Sequence, residues 1–199
     1  MKHILISIIL TLTTWCSWAK STLLIVGDSL SAGYQMAEEQ SWPYLLNKSL
    51  AGDQITVINA SISGDTAGNG AARLPALLAQ HQPNYVLIAL GANDGLRGFH
   101  PSKTEQDLTA MITASQAANA GPMLMQVRVP PNYGRRYSER FEALYPALSD
   151  EYDIPLLPFF LEAVITNDDW MMSDGLHPNA SAQPFIRDYM QEALLPYLQ

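Results

Sequence analysis

Cysteine is all but absent: the 199 residues hold one, Cys16. It falls inside the opening stretch MKHILISIILTLTTWCSWA, where Lys2 precedes an apolar run from Ile4 to Leu12, and Ser17 and Ala19 bracket Trp18. Basic, then apolar, then small-x-small is the order of a secretory signal peptide, predicted over residues 1–19 with cleavage after Ala19. The apolar run is about half the length a membrane-spanning helix needs. Trp15 is too bulky for the position before a lipidated Cys16, so no stable membrane anchor is expected. The remainder, residues 20–199, has no cysteine, which excludes disulfides, thiolate metal sites and a cysteine nucleophile. Covalent catalysis would fall to an oxygen.

Basic charge is also scarce. Lys and Arg number 11 against 19 Asp and Glu, a formal net charge of −8. Loss of the leader removes one more cation. An acidic surface disfavours phosphate backbones and anionic bilayers, which argues against nucleic-acid partners. Charged residues make up only 15% of the chain and hydrophobic ones 48%, a balance that excludes disorder. No glycine-rich GxGxxG follows the first apolar run and no GK[ST] occurs, so nucleotide binding lacks its usual loop. Histidine is too sparse for a metal centre: His81 and His100 stand beside proline-containing turns without acidic partners, leaving His177 alone. The expectation is one exported domain over residues 20–199, taken as a monomer, with a small molecule as its partner and no metal centre.

What is present is an alternation. Thr22–Val26, Ile55–Ile58, Tyr85–Leu90 and Met123–Val129 are apolar at nearly every position, and Ile154–Leu157 is a weaker fifth. Such runs suit strands covered on both faces. Between them lie helix candidates: Ser41 to about Leu50, Thr66–His81, Ser102 to about Asn119 opened by a capping box at Glu105, Arg136 to about Glu151, and Ser181–Leu198. Pro146 warns of a kink and Pro184 of a late start. Repeated βα units predict an open α/β sheet with parallel strands, whose ligands sit beyond the carboxyl ends of the strands.

The segments after those ends hold the chemistry. Gly27-Asp28-Ser29-Leu30-Ser31 follows the first strand, so Ser29 can present its hydroxyl at a strand-to-helix turn, although Asp28 and Ser29 also suit plain capping. After the second strand, Gly64 can offer a backbone N–H, or be an ordinary turn glycine. After the third, Asn93 in Gly91-Ala-Asn93-Asp94-Gly95 can aim an amide inward, or simply turn the chain. Asp174 precedes His177 by one tight turn, the spacing at which a carboxylate orients an imidazole. Together they supply a nucleophile, a base, an orienting acid and oxyanion donors from Ser29, Gly64 and Asn93. Val129, Pro130 and Tyr133 are candidate walls for an acyl chain, with sheet-end packing the alternative. Arg135 and Arg136 suit either an anionic head group or a solvated helix start.

The blocks GDSLS at Gly27–Ser31, Gly64, GAND at Gly91–Asp94 and DGLHP at Asp174–Pro178 resemble the four signature blocks of the SGNH (GDSL) hydrolases. VINASISGDT, ARLPALL, LGANDGLRG, RVPPNYGRRY and LLPFFLE are similar to the periplasmic multifunctional thioesterase, lysophospholipase and arylesterase branch. The resemblance runs from about Leu23 to the C-terminus. It implies a three-layer α/β/α, flavodoxin-like fold with a five-stranded parallel sheet, and a cofactor-free Ser-His-Asp mechanism on carboxylic esters and thioesters. It places Ser29 as nucleophile, His177 as base, Asp174 as orienting acid, and Gly64 and Asn93 as oxyanion donors beside the Ser29 N–H. Ala92 departs from the glycine many relatives carry there. A carbohydrate O-acetyl esterase using the same residues, or a binding module without turnover, are the competing readings. The short connections leave no room for a lid domain, so an open, tolerant groove is expected.

Overall fold

The computed structural model describes residues 20–198. The expected signal peptide and Cys16 lie outside the described residues.

Five strands form the sheet: β1 (Ser21–Gly27), β2 (Ile55–Asn59), β3 (Tyr85–Ala89), β4 (Gly121–Met125) and β5 (Leu156–Leu157). Their order is β2-β1-β3-β4-β5, and every pairing is parallel. This is the flavodoxin-like order, in which the chain reverses direction across the sheet between β1 and β3. Leu23 to Val26 are wholly excluded from solvent, as an apolar run in a doubly covered strand requires.

The helices are α1 (Ser29–Ala32), α2 (Trp42–Ser49), α3 (Ala67–His81), α4 (Ala92–Leu96), α5 (Pro101–Ala117), α6 (Arg135–Glu142), α7 (Leu144–Tyr152), α8 (Phe160–Val164) and α9 (Gln183–Leu194). α2 packs with α9, and α3 packs with α5, which in turn meets α7. The sheet thus has helices on both sides and forms the middle of three layers.

Several boundaries differ from expectation. β4 spans Gly121–Met125 rather than Met123–Val129. β5 reaches only Leu124 and Met125, so Pro122 has no ladder partner on that side and its missing N–H is tolerated. α5 begins at Pro101, not Ser102, and no capping box forms at Glu105; the His100 side chain accepts from Ser102 N instead. Ser41 does not cap α2 with its side chain; its hydroxyl donates to Glu38 O at 2.7 Å. The helix expected from Arg136 to Glu151 is two, α6 and α7. Pro146 has no N–H for the Glu142 carbonyl, which accepts from Gln126 Nε2 at 3.2 Å. At the late start foreseen for Pro184, α9 begins at Gln183.

Candidate active site

The site forms where β1, β2 and β3 end. Gly27 closes β1 against Ser61, whose Oγ would lie 2.9 Å from a Cβ placed there. Asp28 then caps α1, its Oδ1 accepting from Leu30 N at 3.0 Å, and Ser29 is the first helical residue. The Ser29 N–H is left at the open start of α1, and the Gly64 N–H emerges from a turn where φ is +85°. Neither donates to another described residue. Glycine at that φ avoids the strain a side chain would bring.

α4 carries Asn93. Its Nδ2 donates to Asp65 O at 3.0 Å and lies 3.4 Å from Asp28 Oδ2. The neighbouring Asp94 is wholly buried. Its carboxylate accepts from Ala67 N at 2.9 Å and Thr104 Oγ1 at 3.3 Å, tying α4 to the starts of α3 and α5. Burial holds the Asp94 pKa above the usual carboxylate value, against those hydrogen bonds. Beneath α4, Gly91 adopts φ +117°. There a Cβ would meet Tyr145 Oη at 2.0 Å. That hydroxyl donates to Leu90 O at 3.1 Å. Ala92 begins α4 with ordinary helical backbone.

The histidine arrives from the far end of the chain. A bridge between Met171 and Pro178 closes the 171–178 turn, and Met172 N donates to His177 O at 2.8 Å. Inside the turn, Asp174 Oδ1 accepts from Leu176 N at 2.9 Å and His177 N at 3.0 Å, while Oδ2 accepts from His177 Nδ1 at 2.7 Å. These bonds hold the Asp174 carboxyl down at about 2, the backbone bond from Leu176 contributing most. An ionised Asp174 accepts a hydrogen bond from Nδ1–H and so keeps that proton on Nδ1, which leaves Nε2 as an acceptor. Nε2 lies 2.9 Å from Ser29 Oγ. Ser29, His177 and Asp174 therefore form one hydrogen-bonded chain, with Gly64 and Asn93 on the ends of neighbouring elements.

Sequence reasoning missed three neighbours. Asp28 is buried as well as capping, and desolvation raises its pKa to about 6. Its position straight after a buried strand was the available signal. The Tyr34 ring lies 4.4 Å from the His177 ring, a contact no spacing announces. Arg97 donates to Gly64 O at 2.9 Å and braces that turn. Of the wall candidates, Val129 is buried at 5% exposure, packed so closely on α4 that a Cβ at Gly95 would meet its Cγ1 at 2.1 Å. Pro130 is half-buried. Tyr133 is at the surface and donates through its hydroxyl to Leu96 O at 2.7 Å.

A flavodoxin-like sheet with this hydroxyl–imidazole–carboxylate chain at its carboxyl end defines the class: an α/β/α hydrolase of the SGNH type. The profile of the GDSL-like Lipase/Acylhydrolase family matches residues 25–183, and the chain belongs to that family. It is a hydrolase of ester bonds. Among relatives, it is 57% identical over 187 residues to thioesterase 1/protease 1/lysophospholipase L1 of Escherichia coli strain K12, covering 94% of this chain and 89% of that one. It is 55% identical over 184 residues to the arylesterase of Vibrio mimicus, covering 92% of each. Among solved structures, the psychrotrophic esterase EstA from Pseudoalteromonas, in a form inhibited by monoethylphosphonate, superposes with a TM-score of 0.87. Identity is 46%, over 89% of this chain and 98% of that one.

Proposed function

We propose that this chain hydrolyses carboxylic esters and thioesters of acyl chains by two-step acyl transfer through Ser29. The Ser29 hydroxyl attacks the acyl carbonyl while His177 Nε2 takes its proton. Asp174 holds the ring with Nε2 forward and stabilises the imidazolium that forms. The tetrahedral oxyanion rests on the Ser29 and Gly64 N–H groups and the Asn93 amide. His177 returns the proton to the leaving alcohol or thiol, and water then cleaves the acyl-serine by the same groups. No metal or cofactor enters any step.

The observation that supports this most strongly is the unbroken chain from Ser29 Oγ through His177 to Asp174, at 2.9 Å and 2.7 Å. The names of the relatives, thioesterase, lysophospholipase and arylesterase, support acyl esters and thioesters as the substrate class. Among the described residues no helix is long and apolar enough to cross a membrane. The N-terminal pattern supports export, with the mature monomer starting at Lys20 in the periplasm or outside the cell. N-terminal sequencing of the exported protein tests that start.

Comparing p-nitrophenyl acetate, p-nitrophenyl octanoate and a palmitoyl thioester on the purified protein tests the substrate class. Turnover of octanoyl ester and thioester is expected. Turnover confined to acetylated sugars would assign the same residues to carbohydrate O-acetyl esterase work. No turnover of any of them by folded protein would leave the binding-module reading.

A further inference from the structure

Beside α4 lies an open cleft of 560 Å³, with Gly98 and His100 on one wall and Tyr133, Arg136, Tyr137 and Arg140 on the other. That volume is within the range of small-molecule sites. Its walls follow β3 and β4, so the cleft opens at the same end of the sheet as Ser29. Gly98 follows α4 after Arg97, and its N–H donates to Gly95 O at 3.0 Å, so one end of the cleft adjoins the helix that carries Asn93.

The charge in this cleft is out of keeping with the molecule. In a chain of net charge −8, three arginines, Arg135, Arg136 and Arg140, line it. Arg135 is tied to Glu139 at 2.6 Å. The arginines elsewhere are held too: Arg73 by Asp65, Arg97 by Gly64 O, Arg128 by Glu162 and Arg187 by Asp188. Arg136 and Arg140 are exposed and have no hydrogen-bond, ion-pair or ring partner among the described residues. One turn apart on α6, they share a face, and like charges at that spacing weaken a helix. Local stability therefore gives no reason for the pair.

The opposite wall adds donors. His100 Nδ1 accepts from Ser102 N at 3.3 Å and sits 2.7 Å from Ser102 Oγ, so the proton of the neutral ring is on Nε2. α5 and α6 both begin at this cleft, with Pro101 and Arg135 as first residues, and their N-terminal ends favour an anion. Guanidinium pairs grip phosphate oxygens with directed, charge-assisted hydrogen bonds.

We propose that this cleft is a phosphate subsite. It holds the phosphate of the alcohol or thiol half of the substrate while the acyl carbonyl lies at Ser29, and so offsets the repulsion an acidic protein exerts on an anionic substrate. The inference rests on the ester and thioester hydrolysis proposed above. Both a nucleotide thioester and a lysophospholipid head group carry the required group.

The test is a ratio of kcat/KM values between paired substrates with and without phosphate, in wild type and in the Arg136→Gln/Arg140→Gln double variant. One pair is octanoyl-coenzyme A with octanoyl-pantetheine; the other is octanoyl-lysophosphatidylcholine with monooctanoylglycerol. Misfolded protein lowers both members of a pair equally and cancels. The double variant is expected to lower the ratio about tenfold in at least one pair, through KM, and raised salt to lower it in wild type. A fall in the first pair alone assigns a nucleotide source. A fall in the second alone assigns a lipid head group. Ratios unchanged in both pairs overturn the subsite. Wild-type protein that turns over none of the four substrates overturns the hydrolase reading on which it stands.

Discussion

Asp28 Oδ2 lies 3.4 Å from Asn93 Nδ2, joining the residue before the candidate nucleophile to the side chain assigned to the oxyanion. The carboxylate that orients the Asn93 amide is itself buried at 2% exposure. Burial is the main reason its pKa stands at about 6 rather than 3.8.

A carboxyl raised in this way stabilises the fold only while protonated. Its contribution is complete below the unfolded value of 3.8 and is lost as pH rises through about 6. The difference corresponds to about 3 kcal/mol. Asp28→Asn removes that dependence. Thermal unfolding of the variant should gain on wild type between pH 4 and pH 8, and equal pH profiles would contradict the assignment.

Asp174 behaves in the opposite sense. With its pKa lowered to about 2, its stabilising contribution is present above 3.8 and fades only as pH falls through about 2. It therefore stays ionised through the range in which activity is measured. Between pH 4 and pH 9 kcat/KM should therefore show no step that belongs to Asp174. Asp174→Asn should lower kcat by about 10³-fold or more, because the ring loses its tautomer. Steady-state kinetics from pH 4 to pH 9 checks both.

Asn93→Ala leaves the Ser29–His177 pair intact and removes one of the proposed oxyanion donors. Loss of such a donor costs about 10²–10³-fold in kcat. KM for p-nitrophenyl octanoate should change far less than kcat. A rise in KM at constant kcat would make Asn93 a ground-state binder instead.

Two neighbouring small residues at the start of α4, Gly91 and Ala92, should respond very differently. Gly91→Ala drives a methyl to 2.0 Å from Tyr145 Oη at φ +117°, and should lose several kcal/mol or fail to fold. Ala92→Gly places glycine in ordinary helical backbone and should cost about 1 kcal/mol or less. Denaturant unfolding separates the two.

Much of this was legible in the chain. Leu23–Val26 reads as a central strand because both its faces are covered, and periodicity needs no tertiary knowledge to reveal that. The Asp174–His177 spacing likewise encodes a local turn whose bonds are all short-range. What escaped depended on partners distant in sequence. The strand expected from Met123 begins at Gly121, because the short β5 leaves Pro122 unpaired on one side and hence acceptable. The break between α6 and α7 is stabilised by Gln126, which reaches the carbonyl that Pro146 leaves open. Val129 sits at the end of an apolar run, and only the close packing of Gly95 explains its burial.

The central claim is that Ser29 is the nucleophile, and covalent trapping tests it most directly. Incubation with a p-nitrophenyl alkylphosphonate should add one phosphonyl group per chain, located by peptide mass spectrometry on Ser29. Activity should fall in step, and Ser29→Ala should take up none. Folded enzyme that still hydrolyses p-nitrophenyl octanoate while Ser29 stays unmodified, or a Ser29→Ala variant that keeps its turnover, would contradict it.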